Sequence, residues 1–144
     1  MVALASTLAF RLGTLGAVVT ERFSARLAGH GLKPKHIGLL TVLESGTATS
    51  QLDIAKLMNV APSLVVSLAD RLEELGAIQR ERDPSDRRRQ TLALTEEGRE
   101  LLATCTAAAA ELDSELTDGL GPEETEALRS VLLTLARRNG LPAD

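Results

Sequence analysis

The stretch from Ser50 to Thr95 restricts the fold of this chain more than any other. In SQLDIAKLMNV, Ser50 and Asp53 make the Ser-x-x-Asp pattern of a helix start, and Leu52, Ile54, Ala55 and Leu57 are expected inward. Asn59 stops that helix and Pro62 opens another, because proline fits the first helical position, where its missing N–H costs nothing. The turn between them is about four residues long, the length a helix-turn-helix requires. In the second helix Leu64 or Val65, Leu68, Leu72 and Leu75 follow helical spacing toward a core. Ser63, Val66 and Ser67 then project elsewhere near its N-terminal end. Gly76 terminates it. Ala77 to Arg82 follows as a strand with Ile78 apolar and Arg80 and Arg82 charged, and Gln90 to Leu94 as a second, with Leu92 and Leu94 on one face. Between them lie the turn formers Asp83, Pro84 and Ser85 and then Arg87, Arg88 and Arg89. A helix-turn-helix followed at once by a basic hairpin suits a surface that lies along a nucleic-acid duplex.

The flanking segments read as helices. Leu4, Leu8, Leu12, Leu15, Val19, Phe23 and Leu27 recur at steps of three and four, giving an amphipathic helix over Val2 to Ala28 that lacks a strong cap and stops at His30-Gly31. Lys33 stands where a capping hydroxyl is usual, and Pro34 opens a helix whose buried face is Ile37, Leu40 and Leu43 or Val42, closed by Gly46. Ala48-Thr49 is a candidate short strand beside the hairpin. Thr95 caps a long helix reaching about Asp118, with Glu96 and Glu97 in its first turn. Gly121-Pro122 starts a last helix carrying Leu128, Val131, Leu132 and Leu135, which ends at Asn139-Gly140. With Phe10 and Phe23 the only aromatic residues, Leu, Val and Ala must do the packing, which favours helices over a β-sandwich. The expected architecture is mainly α with a small antiparallel β-hairpin, one domain over residues 1–144. The apolar terminal helices are best buried together, within one subunit or across two.

The net charge of -4 argues at first sight against a nucleic-acid partner, but the charge is segregated. Met1 to Thr95 holds twelve basic and nine acidic residues, whereas Glu96 to Glu126 holds only Arg99 against ten acidic residues. The acidity therefore lies outside the hairpin and the helices before it. In the hairpin five arginines face Glu81, Asp83 and Asp86, leaving it locally positive. A solvated charged loop is the ordinary reading of such a run; its position directly after a candidate recognition helix favours the functional one. Arg88 at the tip suits insertion into a narrow minor groove, where negative potential is focused, and Arg87 and Arg89 suit phosphates or pairing with Asp86. The expected DNA-contacting set is Ser50, Gln51, Pro62, Ser63, Leu64, Val66, Ser67, Arg71, Arg80, Asp86, Arg87, Arg88 and Arg89.

Other chemistries find little support. The single Cys105 has no intramolecular partner and sits in an Ala-rich helix, the setting of an inert buried thiol more often than of a redox sensor. His30, His36 and Cys105 form no spaced metal-ligand cluster. No Gly-rich phosphate loop and no nucleophile motif with partners is present, so neither an enzyme nor a cofactor site is expected. With no signal peptide and no long apolar run, a cytoplasmic protein with no membrane partner is expected. Arg11, His30 and His36 are candidates for lining a ligand cavity.

Asp83-Pro84-Ser85-Asp86-Arg87-Arg88-Arg89, followed by Leu92, Leu94-Thr95 and Gly98, resembles the wing of the MarR family of bacterial transcription regulators and the Leu-Thr-x-x-Gly start of its long helix. Asp70-Arg71-Leu72-Glu73 before Gly76 is similar to the end of that family's recognition helix, and the resemblance extends over nearly the whole chain. It implies a winged helix-turn-helix lobe at about residues 33–95 and N- and C-terminal dimerisation helices at about 1–30 and 96–140. It further implies a homodimer on a pseudo-palindromic DNA operator, with recognition helices in successive major grooves and the wings in flanking minor grooves. Asp86 would orient the loop and Arg88 enter the groove. A repressor of its own or neighbouring genes, released by a small phenolic or other aromatic ligand, is the implied function. The sequence departs from the family's pattern at Leu64 and Ser67, where polar residues and Arg are frequent, so specificity would lean on DNA shape and on the wing. Two readings stand against this one: a ligand- or protein-binding dimer without sequence-specific DNA binding, and a redox sensor acting through Cys105.

Overall fold

In a computed structural model, which describes residues 1–143, six α-helices and one two-stranded antiparallel sheet occur among the described residues. They are α1 (Leu8–Ala28), α2 (Pro34–Ser45), α3 (Gln51–Met58), α4 (Pro62–Glu74), β1 (Ile78–Arg82), β2 (Gln90–Leu94), α5 (Glu96–Leu116) and α6 (Pro122–Arg138). The chain divides into two compact units, Met1–Ala109 and the part from Ala110 onward.

The first unit is built around one apolar cluster. Leu27 of α1, Leu39, Leu40 and Val42 of α2, Ile54 and Ala55 of α3, Val65, Leu68 and Leu72 of α4, Ile78 and Leu92 of the hairpin, and Leu102 and Cys105 of α5 are all buried in it. The helix-turn-helix follows from its signals. Ser50 Oγ accepts from Asp53 N (3.1 Å), Asn59 adopts the left-handed conformation (φ 55°) that ends α3, and Pro62 begins α4. The chain bends by 112° between the two helices, within the range of this motif. In the hairpin Ile78 pairs with Leu94, Arg80 with Leu92 and Arg82 with Gln90. Ala48-Thr49 forms no strand, but the segment lies beside the hairpin as expected: Leu92 N donates to Thr49 O (2.8 Å), next to an isolated bridge between Ser50 and Thr91.

The structure corrects several details. Alpha-helix begins at Leu8, after a 3₁₀ turn at Leu4–Ser6, because Thr7 is a cap: its Oγ1 accepts from Phe10 N (3.3 Å). Lys33 is no weak start either, since its backbone N–H donates to His36 Nδ1 (2.8 Å) from within the first turn. Leu52, Leu57 and Leu75 are exposed rather than inward, while Leu39 joins Leu40, Val42 and Leu43 in the core and Ile37 is only half-buried. Leu52 and Leu57 lie off the narrow stripe of so short a helix, which Ile54, Ala55 and the half-buried Met58 occupy. Arg80 lies on the same face of β1 as Ile78, as the period of two demands, so it points inward and stands opposite the buried Leu92.

The start of α5 explains the Leu-Thr-x-x-Gly pattern. Thr95 Oγ1 donates to Gly76 O (2.6 Å) and accepts from Gly98 N (3.0 Å), while Thr95 N donates to Ala77 O (3.0 Å). Gly98 lies so close to the Ala77 carbonyl that a Cβ there would overlap it.

In the second unit the end of α5 and α6 carry an Asp113–Arg129 ion pair (3.4 Å), and Gly121 N donates to Glu124 Oε1 (3.2 Å) at the start of α6. Leu128, Val131, Leu132 and Leu135 of α6 are exposed. In the first unit, Leu8, Leu12, Leu15 and Val18 of α1 are exposed as well. Among the described residues no single helix is long and apolar enough to cross a membrane.

Candidate nucleic-acid interface

The hairpin loop is tightened by its own polar groups. Asp83 Oδ1 accepts from Ser85 N (2.9 Å) and Ser85 Oγ (2.6 Å), and these two bonds, the side-chain one first, hold the exposed Asp83 carboxyl below its ordinary pKa. Backbone bonds from Asp83 N to Arg89 O (3.0 Å) and from Arg89 N to Asp86 O (2.9 Å) close the turn. Asp86 Oδ1 then accepts from Arg88 N (3.0 Å) and from Arg88 Nε (3.3 Å). The Arg88 side chain is left 92% exposed while its base is fixed, a cation presented outward at a set angle. Arg87 is also exposed.

Arg89 turns the other way. Its Nη2 donates to Ser50 Oγ (3.1 Å) and Asp53 Oδ2 (3.0 Å), tying the loop to the first turn of α3. Arg80 is drawn further in: it binds Gln51, Asp70, Glu73 and the Val66 carbonyl and is only 17% exposed. The hairpin, the start of α3 and the start of α4 thus bound a cleft of about 230 Å³ lined by Ser50, Gln51, Pro62, Val66, Arg88 and Arg89 among others. Seven of the thirteen residues expected at DNA therefore converge here: these six and Asp86, which holds Arg88.

The remaining ones separate by helix face. Ser63 is exposed on the outer side of α4, as is Ser67 at its edge. Leu64 is half-buried and lines, with Ser67 and Leu68, a second cleft of about 440 Å³. Arg71, seven residues beyond Leu64 and hence on the same side of the helix, does not follow Ser63 outward. Its Nε donates to Gly31 O (3.4 Å) in the turn between α1 and α2, and its Nη1 pairs with Glu74 Oε2 (3.3 Å). A side chain at Gly31 would displace that guanidinium, and the φ of 69° there suits glycine.

The second cleft is walled by Thr20 and Ser24 of α1, by Lys33, Pro34, Lys35 and His36 at the start of α2, and by the α4 residues just named. Of the three candidates for a ligand cavity, His36 lines it. Arg11 lies nearer the start of α1, donating to Ala5 O (3.2 Å), and His30 is exposed in the α1–α2 turn. Burial first, then the Lys33 and Arg71 cations, push the His36 pKa below its ordinary value, so the ring is neutral near pH 7 and Nδ1 serves as the acceptor for Lys33 N–H. Burial likewise raises the Cys105 thiol pKa, which disfavours the reactive thiolate. No group of three or more His, Cys, Asp or Glu among the described residues is arranged to hold a metal ion.

The role of Arg80 escaped the sequence reading, although strand alternation from Ile78 carried the signal. The Arg71–Gly31 contact spans forty residues of chain and had no local signal.

The family model described as the MarR family matches residues 34–89, from the start of α2 to the last arginine of the loop. A putative transcriptional regulatory protein for the hcr operon of Thauera aromatica is 33% identical over 109 residues, spanning 76% of this chain and 66% of that protein. Among solved structures, a transcriptional regulator of the MarR family from Rhodococcus sp. RHA1 is 28% identical with a TM-score of 0.78, covering 94% of this chain and 98% of its own. The transcriptional repressor CouR, bound to a 23-mer DNA duplex, is 32% identical with a TM-score of 0.76, covering 92% of this chain and 94% of its own. CouR from Rhodococcus jostii RHA1 has also been solved with p-coumaroyl-CoA, at 26% identity and a TM-score of 0.74, covering 94% of this chain and 96% of its own.

Proposed function

The chain belongs to the MarR family of transcription regulators, a family of regulators and not of enzymes, and from that premise we propose that it is a homodimeric DNA-binding repressor released by a small molecule. The observation that carries the DNA reading is Arg88, exposed at the hairpin tip yet fixed by Asp86 through both its backbone and its guanidinium. An arginine so held enters a minor groove without losing the freedom that an unrestrained side chain would lose. Ser63, Val66 and Ser67 on α4 face the adjacent major groove, where a serine hydroxyl reads donors or acceptors and a valine methyl packs on thymine. Arg87 meets the phosphate backbone.

The dimer reading rests on the exposed leucines of α1 and of α6, each a stripe that a second copy of the chain would cover. The ligand reading rests on the cleft of Thr20, Ser24, Lys33, Lys35, His36, Leu64 and Ser67. It combines an apolar floor with hydroxyls and cations, suited to an aromatic ligand with an anionic head, and α4 forms one of its walls. CouR, bound to p-coumaroyl-CoA in one structure and to DNA in another, is a relative in which both kinds of partner occur.

The test is a mobility-shift titration on the protein's own upstream DNA at several fixed salt concentrations. Wild type is expected to lose affinity steeply with salt. Arg88→Glu, on a side chain 92% exposed, is expected to fold normally and bind on the order of tenfold or more weakly. Unchanged binding by Arg88→Glu refutes the DNA reading.

A further inference from the structure

Arg80 joins three elements with one side chain. From β1 its Nε donates to Gln51 Oε1 on α3 (3.2 Å), its Nη1 to Glu73 Oε1 on α4 (3.0 Å), and its Nη2 to the Val66 carbonyl (3.1 Å) and the Asp70 carboxylate. The other Glu73 oxygen, Oε2, accepts from the Arg80 backbone N–H (3.3 Å), so strand and helix are tied twice. A planar guanidinium with donors in fixed directions holds such partners at one mutual angle, which an ammonium on a flexible stem does not. Its charge also offsets Asp70 and Glu73 on the helix proposed to enter the major groove.

Gln51 shows what this arrangement does at the surface. A carboxamide has one accepting oxygen and one donating NH₂ group. With the oxygen engaged by Arg80, what Gln51 offers to the cleft shared with Pro62, Val66 and Arg88 is its NH₂. A donor beside arginines at the start of a helix suits an acceptor that carries negative charge, as a DNA phosphate does.

We propose that Arg80 is a positioning residue for DNA recognition: without touching the duplex, it sets the angle between the wing and α4 and turns the Gln51 NH₂ toward a backbone phosphate. This rests on the DNA reading above. It differs from a merely structural role in what it does to the footprint and from a direct contact in what it does to the salt dependence.

Three measurements on the full chain test it. In the free protein, Arg80→Met is expected to speed amide exchange in the hairpin and in α4 from Val66 onward, with little change in α1. On DNA, wild type is expected to protect a major-groove segment and flanking minor-groove segments from hydroxyl radicals. Arg80→Met at saturating concentration is expected to lose the flanking protection. Gln51→Glu keeps and strengthens the bond to Arg80 but replaces the donor by a negative oxygen, so it is expected to keep its melting temperature while losing on the order of tenfold in affinity. If Arg80→Met does not fold, Gln51→Glu decides alone. Wild-type-like affinity of Gln51→Glu overturns the proposal, as does an Arg80→Met footprint that keeps its flanks. With the flanks kept, a salt slope that falls by about one would mark Arg80 as a direct phosphate contact instead. If wild type itself binds no duplex, the DNA reading fails and takes this proposal with it. Failure of the variants against a binding wild type overturns this proposal only.

Discussion

Gly98→Ala is expected to reverse the usual sign of a glycine substitution in a helix. Alanine is favoured over glycine inside a helix by about 1 kcal/mol, so the change ordinarily stabilises. Here the new Cβ would overlap the Ala77 carbonyl oxygen and stand 2.8 Å from Leu94 Cδ1 and 3.0 Å from the Ala77 carbonyl carbon. Ala77 is buried at 1% exposure and its carbonyl accepts from Thr95 N, so relief requires the first turn of α5 to move off the hairpin. Overpacking of this kind costs about 1–3 kcal/mol. Loss of the Thr95–Ala77 bond adds about 0.5–1.5 kcal/mol. Against a propensity gain of at most about 1 kcal/mol, the net effect is a destabilisation of about 0.5–3.5 kcal/mol. For a chain of this size that lowers the melting temperature by roughly 2–12 °C. The assay is thermal unfolding followed by far-UV circular dichroism at one fixed protein concentration, which removes any effect of self-association on the melting temperature. Equal or higher stability of Gly98→Ala refutes the reasoning. Adding Leu94→Ala separates the obstacles. The double variant is expected to remain destabilised because the carbonyl is backbone, and full recovery would assign the clash to the Leu94 side chain instead.

Two further outcomes follow from titratable groups in the first unit. Neutral His36 accepts the Lys33 N–H that begins α2, and protonation would replace that acceptor with a third cation beside Lys33 and Arg71, with Lys35 lining the same cleft. Its folded pKa lies below 6.5, so the unfolded chain takes the proton first: the stabilisation is complete above pH 6.5 and is lost as pH falls from there through the folded value. The wild-type melting temperature is therefore expected to drop over that window more than that of His36→Gln, whose carboxamide oxygen still accepts; parallel curves would count against the role of His36. Cys105, 1% exposed with its thiol pKa raised by burial, is expected to react with a soluble disulfide reagent only as fast as the chain opens. Rapid labelling under native conditions, or an oxidant response abolished by Cys105→Ala, would restore the redox reading.

The architecture was legible where signals are local. Ser50 and Asp53, Asn59, Pro62 and Gly76 each act within four residues of themselves, and the helices they delimit are the ones observed. Thr7 was missed although its bond to Phe10 N is equally local, because the apolar stripe continues in front of it through Leu4 and drew the helix too far. The burial of Leu52, Leu57 and Leu75 was misjudged for a different reason. Periodicity says which residues share a face, but how wide a face is covered depends on which elements arrive to cover it.

The arginines carry the same lesson into the site. Arg88, Arg89, Arg80 and Arg71 are chemically identical and were all expected at DNA, yet only Arg88 has all its side-chain partners within its own turn, since Arg71, though paired with Glu74 nearby, also reaches Gly31. Its fate was readable because Asp86 lies two positions away. Arg89 reaches Ser50 and Asp53, Arg80 reaches α3 and the length of α4, and Arg71 reaches the turn after α1, partners set by the fold rather than by neighbouring sequence. Each inward arginine ties two elements of the lobe together. Arg89 joins the loop to α3, Arg80 joins the wing to α4, and Arg71 joins α4 to the turn beside the cleft of His36. Leu64 and Ser67, which line that cleft, lie on the same side of α4 as Arg71. Arg71, Arg80 and Arg89 thus act as struts, and of the four only Arg88 is left almost wholly exposed.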